Sequence, residues 1–198
     1  SEKVFDMKRL LLILILMLGF QNLTKADDIR DFEIEGISIG DSLLDHFQES
    51  EVRKIDKFYY PNSKKYFGLA SNLFNENLDA YDAVQFIVVP QTYEIISIAG
   101  KIYKFTNDQK KCFNEMEKIF NELKLSFPNS KIDKEKEGPH DADRSGKSFA
   151  KVYKINLKNG RIAVTCTDWS QDTGRPDSLK VAIHLKDYMD WINNEAYK

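Results

Sequence analysis

Residues 149–169 constrain the fold more than any other stretch of the chain. Two runs of alternating apolar residues, 149–157 and 162–169, flank Asn159-Gly160. An Asn-Gly pair accepts the positive φ angles that a two-residue hairpin turn requires. Setting Lys158 opposite Arg161 places Leu157, Ile155 and Tyr153 across from Ile162, Val164 and Cys166 on one face. The other face then pairs Asn156 with Ala163, Lys154 with Thr165 and Val152 with Thr167, and Lys151 falls opposite Asp168. One apolar face and one mostly polar face describe a half-buried antiparallel sheet.

The remaining segments extend that sheet and supply its cover. Leu179, Val181, Ile183 and Leu185 alternate as another strand. Residues 84–89 and 93–105 are β-rich with apolar residues on both faces, as central strands are. Aromatic residues on either side of Pro61-Asn62-Ser63 read as a further hairpin. Between the β-rich stretches, Cys112, Met116, Ile119, Phe120, Leu123 and Phe127 recur every three or four positions, the stripe of one helix, which Pro128 stops. Thr106 and Gln109 fit a capping box at its start. Shorter helices are expected after Asp41 or Ser42, either of which can cap, through Leu43, Leu44 and Phe47, and after Asp187, through Met189, Trp191 and Ile192. Ser50 caps a further turn through Val52 and Ile55. Phe32, Ile34, Ile37 and Ile39 suggest a short strand ending at Gly40. Residues 129–148 carry charge without apolar periodicity and read as a long loop, the most mobile internal segment. The fold class is α+β, an antiparallel sheet with helices packed on one face, arranged as two helix-plus-meander halves.

The N-terminal region has the layout of a secretory leader. Ser1 to Asp6 precede Met7, Lys8 and Arg9 form a positive n-region, and residues 10–20 are uncharged. Thr24 and Ala26 are small residues at the −3 and −1 positions of a cleavage site. Spanning a bilayer takes about 20 apolar residues, so cleavage is expected rather than anchoring. Residues 1–26 are then the upstream residues and leader, and 27–198 are one exported domain in a bacterial periplasm or outside the cell. The chain carries 29 Lys and Arg against 31 Asp and Glu. That mild acidity, without basic clusters in sequence, gives no footprint for nucleic acid. An oxidising compartment also gives the only two cysteines a role. Cys112 lies on the apolar stripe of the helix and Cys166 on the apolar face of the hairpin. A helix laid on that sheet brings both into one layer, and a Cys112–Cys166 disulfide is expected.

Several short motifs invite a catalytic reading. Gly36-Ile37-Ser38-Ile39-Gly40 matches the nucleophile elbow of serine hydrolases. Ser38 stands only about a dozen residues past the leader, which leaves no chain for the strands and oxyanion loop an elbow needs; it reads as scaffold. Gly146-Lys147-Ser148 resembles the end of a phosphate-binding loop, but Asp141 stands where the first glycine belongs and a strand follows. Asp141, Asp143 and Ser145 open like a calcium loop, yet Val152 stands where the bidentate Glu is required. A solvated acidic turn is the simpler reading. His46 and His184 sit out of phase with their apolar neighbours, on polar sides, and His140 lies in the loop. No spacing suits a transition metal, and no cofactor is expected. Asp168-Trp169, at a strand end, offers an aromatic anchor for a binding surface.

On the stretches 31–47, 95–104 and 167–170, "DFEIEGISIGDSLLDHF", "IISIAGKIYK" and "TDWS", the chain resembles a group of small exported proteins of marine alphaproteobacteria. The resemblance implies a periplasmic address and assigns no catalytic or binding residue. The functional expectation is a non-enzymatic domain that binds an envelope protein or a small ligand. The alternative is a periplasmic hydrolase whose site is assembled from dispersed residues; a pocket holding perturbed carboxylates favours it. N-terminal sequencing of exported protein is expected to begin at Asp27, and recovery of residues 7–26 on the exported form would refute the leader.

Overall fold

The computed structural model describes residues 28–69, 78–105 and 107–198. The leader at 1–26 and the Thr106 half of the expected capping box lie outside the described residues. Two four-stranded meanders form one eight-stranded antiparallel sheet. The first comprises β3 (Lys57–Tyr60), β4 (Ser63–Leu69), β5 (Ala83–Val88) and β6 (Ile95–Ile102). The second comprises β7 (Lys131–Pro139), β8 (Phe149–Leu157), β9 (Gly160–Asp168) and β10 (Ser178–Leu185). The last strands of the two meanders pair, giving the order β3-β4-β5-β6-β10-β9-β8-β7. Helices α1 (Leu43–His46) and α2 (Glu49–Val52) precede the first meander, and α3 (Gln109–Ser126) precedes the second.

Helix α3 covers one sheet face because its buried residues, Cys112, Met116, Ile119, Phe120 and Leu123, follow the 3.6-residue period. Each large apolar side chain so buried contributes roughly 1.5–3 kcal/mol. The Phe120 ring stacks on Tyr153 of β8 with centroids 4.5 Å apart. Asp108 caps the helix, its carboxylate accepting from the Lys111 amide at 3.0 Å. Cys112 and Cys166 are joined, tying α3 to β9 across 54 positions of chain. The same core includes Leu43 of α1 and Val52 of α2, so all three helices share this inner face. Helix α4 (Lys186–Asn194) lies on the other face, where Trp191 and Ala196 bury with Tyr66, Ile87 and Ile96.

Three local features differ from the sequence expectations, each for a physical reason. The segment 32–39 is a small hairpin instead of one strand. β1 (Glu33–Ile34) pairs with β2 (Ile37–Ser38) around Glu35-Gly36, both at positive φ (54° and 75°). The Glu35 carboxylate repays this conformation by accepting from the amides of Asp79, Ala80 and Tyr81 at 2.8–3.1 Å, which fixes the approach to β5.

The β8–β9 turn uses Lys158-Asn159, not Asn159-Gly160, so Leu157 faces Gly160 and Ile155 faces Ile162. Gly160 is required inside β9, since a Cβ there would lie 2.3 Å from the His184 carbonyl oxygen. Asn159 is held in the turn by donating to Asp28 at 3.1 Å and by accepting from the Lys186 amide. The register shifts by two residues, so every side chain keeps its predicted face. Asp168 consequently opposes Phe149, and Lys151 opposes Cys166.

The expected loop at 129–148 contains a full strand, β7, paired along β8 with an irregularity between Asp133 and Lys136. Backbone hydrogen bonds hold it. Its charged side chains suit an edge strand, where they discourage pairing with another chain.

Removing the disulfide tests how far the α3–β9 tie stabilises the fold. In the chain-entropy account a closed loop of about 55 residues stabilises by roughly 4 kcal/mol. The C112A/C166A double variant is expected to lose about that much in a urea titration at unchanged m-value; a loss below about 1 kcal/mol would refute the estimate.

Candidate functional site

Alternation divides the central strands between two environments. Ile98 of β6, Val181 and Ile183 of β10, and Ile162 and Val164 of β9 point into the core with α3. Their neighbours form the outer face in three cross-strand rows. Ala99, Ala182 and Ala163 make the middle row. On one side of it Lys101, Lys180 and Thr165 stand abreast; on the other stand Ser97, His184 and Arg161. Small residues in the centre leave a floor with basic side chains along both margins.

Helix α4 covers only one end of this face. Tyr188 reaches His184, with rings 5.4 Å apart, and its hydroxyl hydrogen-bonds that of Tyr60 at 3.0 Å. Trp191 packs edge-on against Tyr60 and Tyr66, and its indole N–H donates to Ser63. At the other end two loops form a rim. Ser148 ties them together: its hydroxyl donates to Asp143 at 2.6 Å and accepts from the Ser170 amide at 2.9 Å. Lys147 reaches Asp172 at 2.8 Å. Trp169 packs with the His140 ring at 4.3 Å and the Arg175 guanidinium at 4.6 Å, so it orients an imidazole and a cation rather than standing open as an anchor.

The charges on this face are unevenly matched. Arg161 pairs with Asp133 at 3.5 Å, and Lys136 reaches Asp141 at 3.9 Å. Burial and Arg161 lower the Lys154 ammonium, and Asp133 and Asp141 offset part of that. Lys101 and Lys180, directly opposite each other, have no carboxylate within ion-pair distance among the described residues. Burial and the mutual repulsion with Lys101 push the Lys180 ammonium below its ordinary range. Burial and Arg175 do the same to Lys101. His140 is lowered by burial and by Lys180. His184 is lowered furthest, to about 3, by burial and by Lys180, Arg161 and Lys154. It lies on the polar side as expected from sequence, but beneath Tyr188 rather than in solvent, with Nδ1 hydrogen-bonded to Ser97 at 2.8 Å.

A separate cleft of about 270 Å³ lies beside the disulfide, lined by Asn107, Asp168, Asp177 and Ser178 among others. Burial and Asp177 raise the Asp168 carboxyl. Asp177 itself is engaged with backbone, accepting from the Trp169 amide at 2.7 Å and the Asn107 amide at 3.1 Å. It latches two loops, which leaves Asp168 as the one carboxylate available to the cleft.

The remaining sequence candidates fall elsewhere. Ser38 is half-buried on β2, and its amide donates to Asp41 at 3.1 Å. His46 meets the same carboxylate at 2.9 Å. Ser38 thus neighbours an Asp–His pair through its backbone and not through its hydroxyl. Both Asp143 oxygens close their own loop, accepting from Ser145 and Ser148. These bonds hold the Asp143 carboxyl well below the usual range. Among the described residues no three His, Cys, Asp or Glu side chains gather as a metal-binding group. Lys101 and Lys180 escaped sequence reasoning because their signal is single: each is a lone cation on the polar phase of an otherwise apolar strand. No family model and no curated protein matches the chain.

The His184 environment sets a stability-versus-pH slope. Its ordinary value is 6.5 and its folded value about 3, so between these pH values the unfolded chain binds the extra proton. Stability from this group is full above about pH 6.5 and is lost as pH falls toward 3. Urea midpoints at pH 7.5 and 4.5 are expected to differ less for His184→Gln than for the wild type; equal differences would refute the assignment.

Proposed function

We propose that the chain is an exported, non-enzymatic binding domain that meets its ligand or partner on the outer sheet face, where β6 and β10 join. The observation that carries this reading is the Lys101–Lys180 pair. Like charges directly opposite on a sheet are destabilising, and no carboxylate of the described residues offsets these two. Groups held at a cost to stability concentrate where a protein binds something. The half-covered face and its cross-linked rim support the same place.

Export is supported by the order of charges and apolar residues in 7–26 and by the disulfide, which suits an oxidising compartment. No helix among the described residues is long and apolar enough to cross a membrane. The hydrolase reading draws on one observation, the raised Asp168 carboxyl in its cleft. With Asp177 committed to backbone amides, that cleft lacks the second working carboxylate of a paired acid–base mechanism.

Photo-crosslinkers placed at residues 99 and 163 on the outer face and at 117 and 124 on α3 test the location. Exposed to envelope extract, the outer-face positions are expected to yield adducts that the α3 positions do not. Adducts confined to α3, or equal at all four sites, would overturn the proposal.

A further inference from the structure

The uncompensated cations meet at one point of the outer face. Lys101 and Lys180 are cross-strand partners at the seam of the two meanders. Arg175 lies within electrostatic reach of Lys101, and His140 within reach of Lys180. Arg175 is steadied by Trp169, whose ring it covers, and the amide of Arg175 is fixed by Thr173 at 3.2 Å. Thr165 stands across from Lys180 on β9. The residue as a whole is buried, but its hydroxyl makes no hydrogen bond with the described residues and is not a buried orphan, so it stays accessible. Lys180 is half-buried, and the charged group that acts on it is Lys101.

Resting on the binding reading above, we infer that this seam binds an oxyanion of the phosphate-monoester class, held by the ammonium groups of Lys101 and Lys180, the Thr165 hydroxyl and the Arg175 guanidinium. The charge count selects the class. Three fixed cations leave a surplus that one carboxylate offsets only in part, whereas a phosphate monoester carries close to two negative charges at neutral pH. Ammonium and guanidinium groups donate charge-assisted hydrogen bonds to such oxygens, and a spare hydroxyl adds a neutral donor. The site is local: the chain as a whole is acidic, at net charge −2, so nonspecific attraction of anions is weak. The alanine row beneath is itself buried, so the oxyanion is met by the basic side chains that stand above it and not by the sheet backbone.

The test is isothermal titration of the intact disulfide-bonded protein at pH 7.5 and about 0.15 M salt, where exposed charges are screened beyond roughly 8 Å. The probes are inorganic phosphate, a short alkyl phosphate and acetate, with anionic phosphatidylglycerol vesicles in a separate flotation assay. Phosphate or alkyl phosphate is expected to bind at least about tenfold more tightly than acetate, and K101M and K180M are each expected to weaken it at least about tenfold. Methionine retains the apolar stem of lysine and removes its charge. Folding of the variants is checked by circular dichroism and thermal midpoint. Without phosphate, the K180M midpoint is expected to match or exceed that of wild type, because a like-charge contact is removed. T165V gives a smaller loss.

Vesicle binding that free phosphate competes away assigns the oxyanion to a lipid headgroup; phosphate binding without vesicle binding assigns it to a soluble ligand. Vesicle binding indifferent to phosphate, phosphate affinity unchanged by both lysine substitutions, or a lower K180M midpoint would each overturn the inference. If phosphate fails to bind while crosslinks still map to residues 99 and 163, the binding reading stands and the oxyanion assignment falls.

Discussion

The pairing of β6 with β10 is the contact on which the architecture depends. Each meander is built from neighbours in sequence, and each buries its inner face under the helix that precedes it. Only this one ladder, running from Ser97 opposite His184 to Ile102 opposite Leu179, makes them a single sheet. Its inner side is apolar and continuous with the α3 layer, where Ile98, Val181 and Ile183 bury together. The register is fixed by that burial, since a one-residue slip would turn the isoleucines outward. Whatever the inner face dictates, the outer face inherits: Lys101 must face Lys180, Ala99 must face Ala182, and Ser97 must face His184.

That inheritance sets the electrostatic character of the outer face. Across a sheet, opposed Cβ atoms are about 5 Å apart. At an effective dielectric near 20, two unit charges about 6 Å apart repel by roughly 3 kcal/mol. The lysines relieve part of this by lowered proton affinity and by extending toward solvent, in the way long basic side chains do. His184 resolves the same conflict differently. Surrounded by Lys180, Arg161 and Lys154, it is kept neutral and hydrogen-bonded to Ser97 beneath Tyr188. Burial under α4 therefore silences one basic group, while the pair farther along the seam retains its charge problem.

The secondary structure was legible wherever burial leaves a period in the sequence. Helix α3 follows from the 3.6-residue stripe, β8, β9 and β10 from alternation, and β5 and β6 from β-rich runs apolar on both faces, while the Cys112–Cys166 bridge followed from laying the helix on the hairpin. β7 was not legible because an edge strand is specified by its partner's backbone and by charge, neither of which leaves an apolar period. The hairpin turn was misplaced by one residue, and the register by two, because Gly160 is needed for a tertiary reason, the approach of the His184 carbonyl and Ile29, which a local turn rule does not contain. The candidate site was less legible still. Lys101 and Lys180 are separated by 79 positions, and nothing near either one hints at the other until the sheet order is known.

The rim completes the physical case for a prepared site. An eight-stranded sheet exposes two broad faces, and stable domains cover apolar faces with a second layer. Here α4 covers the part of the outer face that carries Tyr66, Ile87 and Ile96. It stops where the outer face turns to alanine, threonine and lysine, which need no apolar cover. The loops at that end are fastened to each other instead of to the floor, through Ser148 with Asp143 and Ser170 and through Lys147 with Asp172. Trp169 then fixes Arg175 and His140 against the rim. Groups held in place beforehand lose little conformational freedom on binding, so more of their interaction energy is expressed as affinity. Unmatched cations standing over a buried small-residue floor, beyond the reach of the covering helix and edged by a cross-braced rim, are the organisation that the proposed binding surface would need before its ligand arrives.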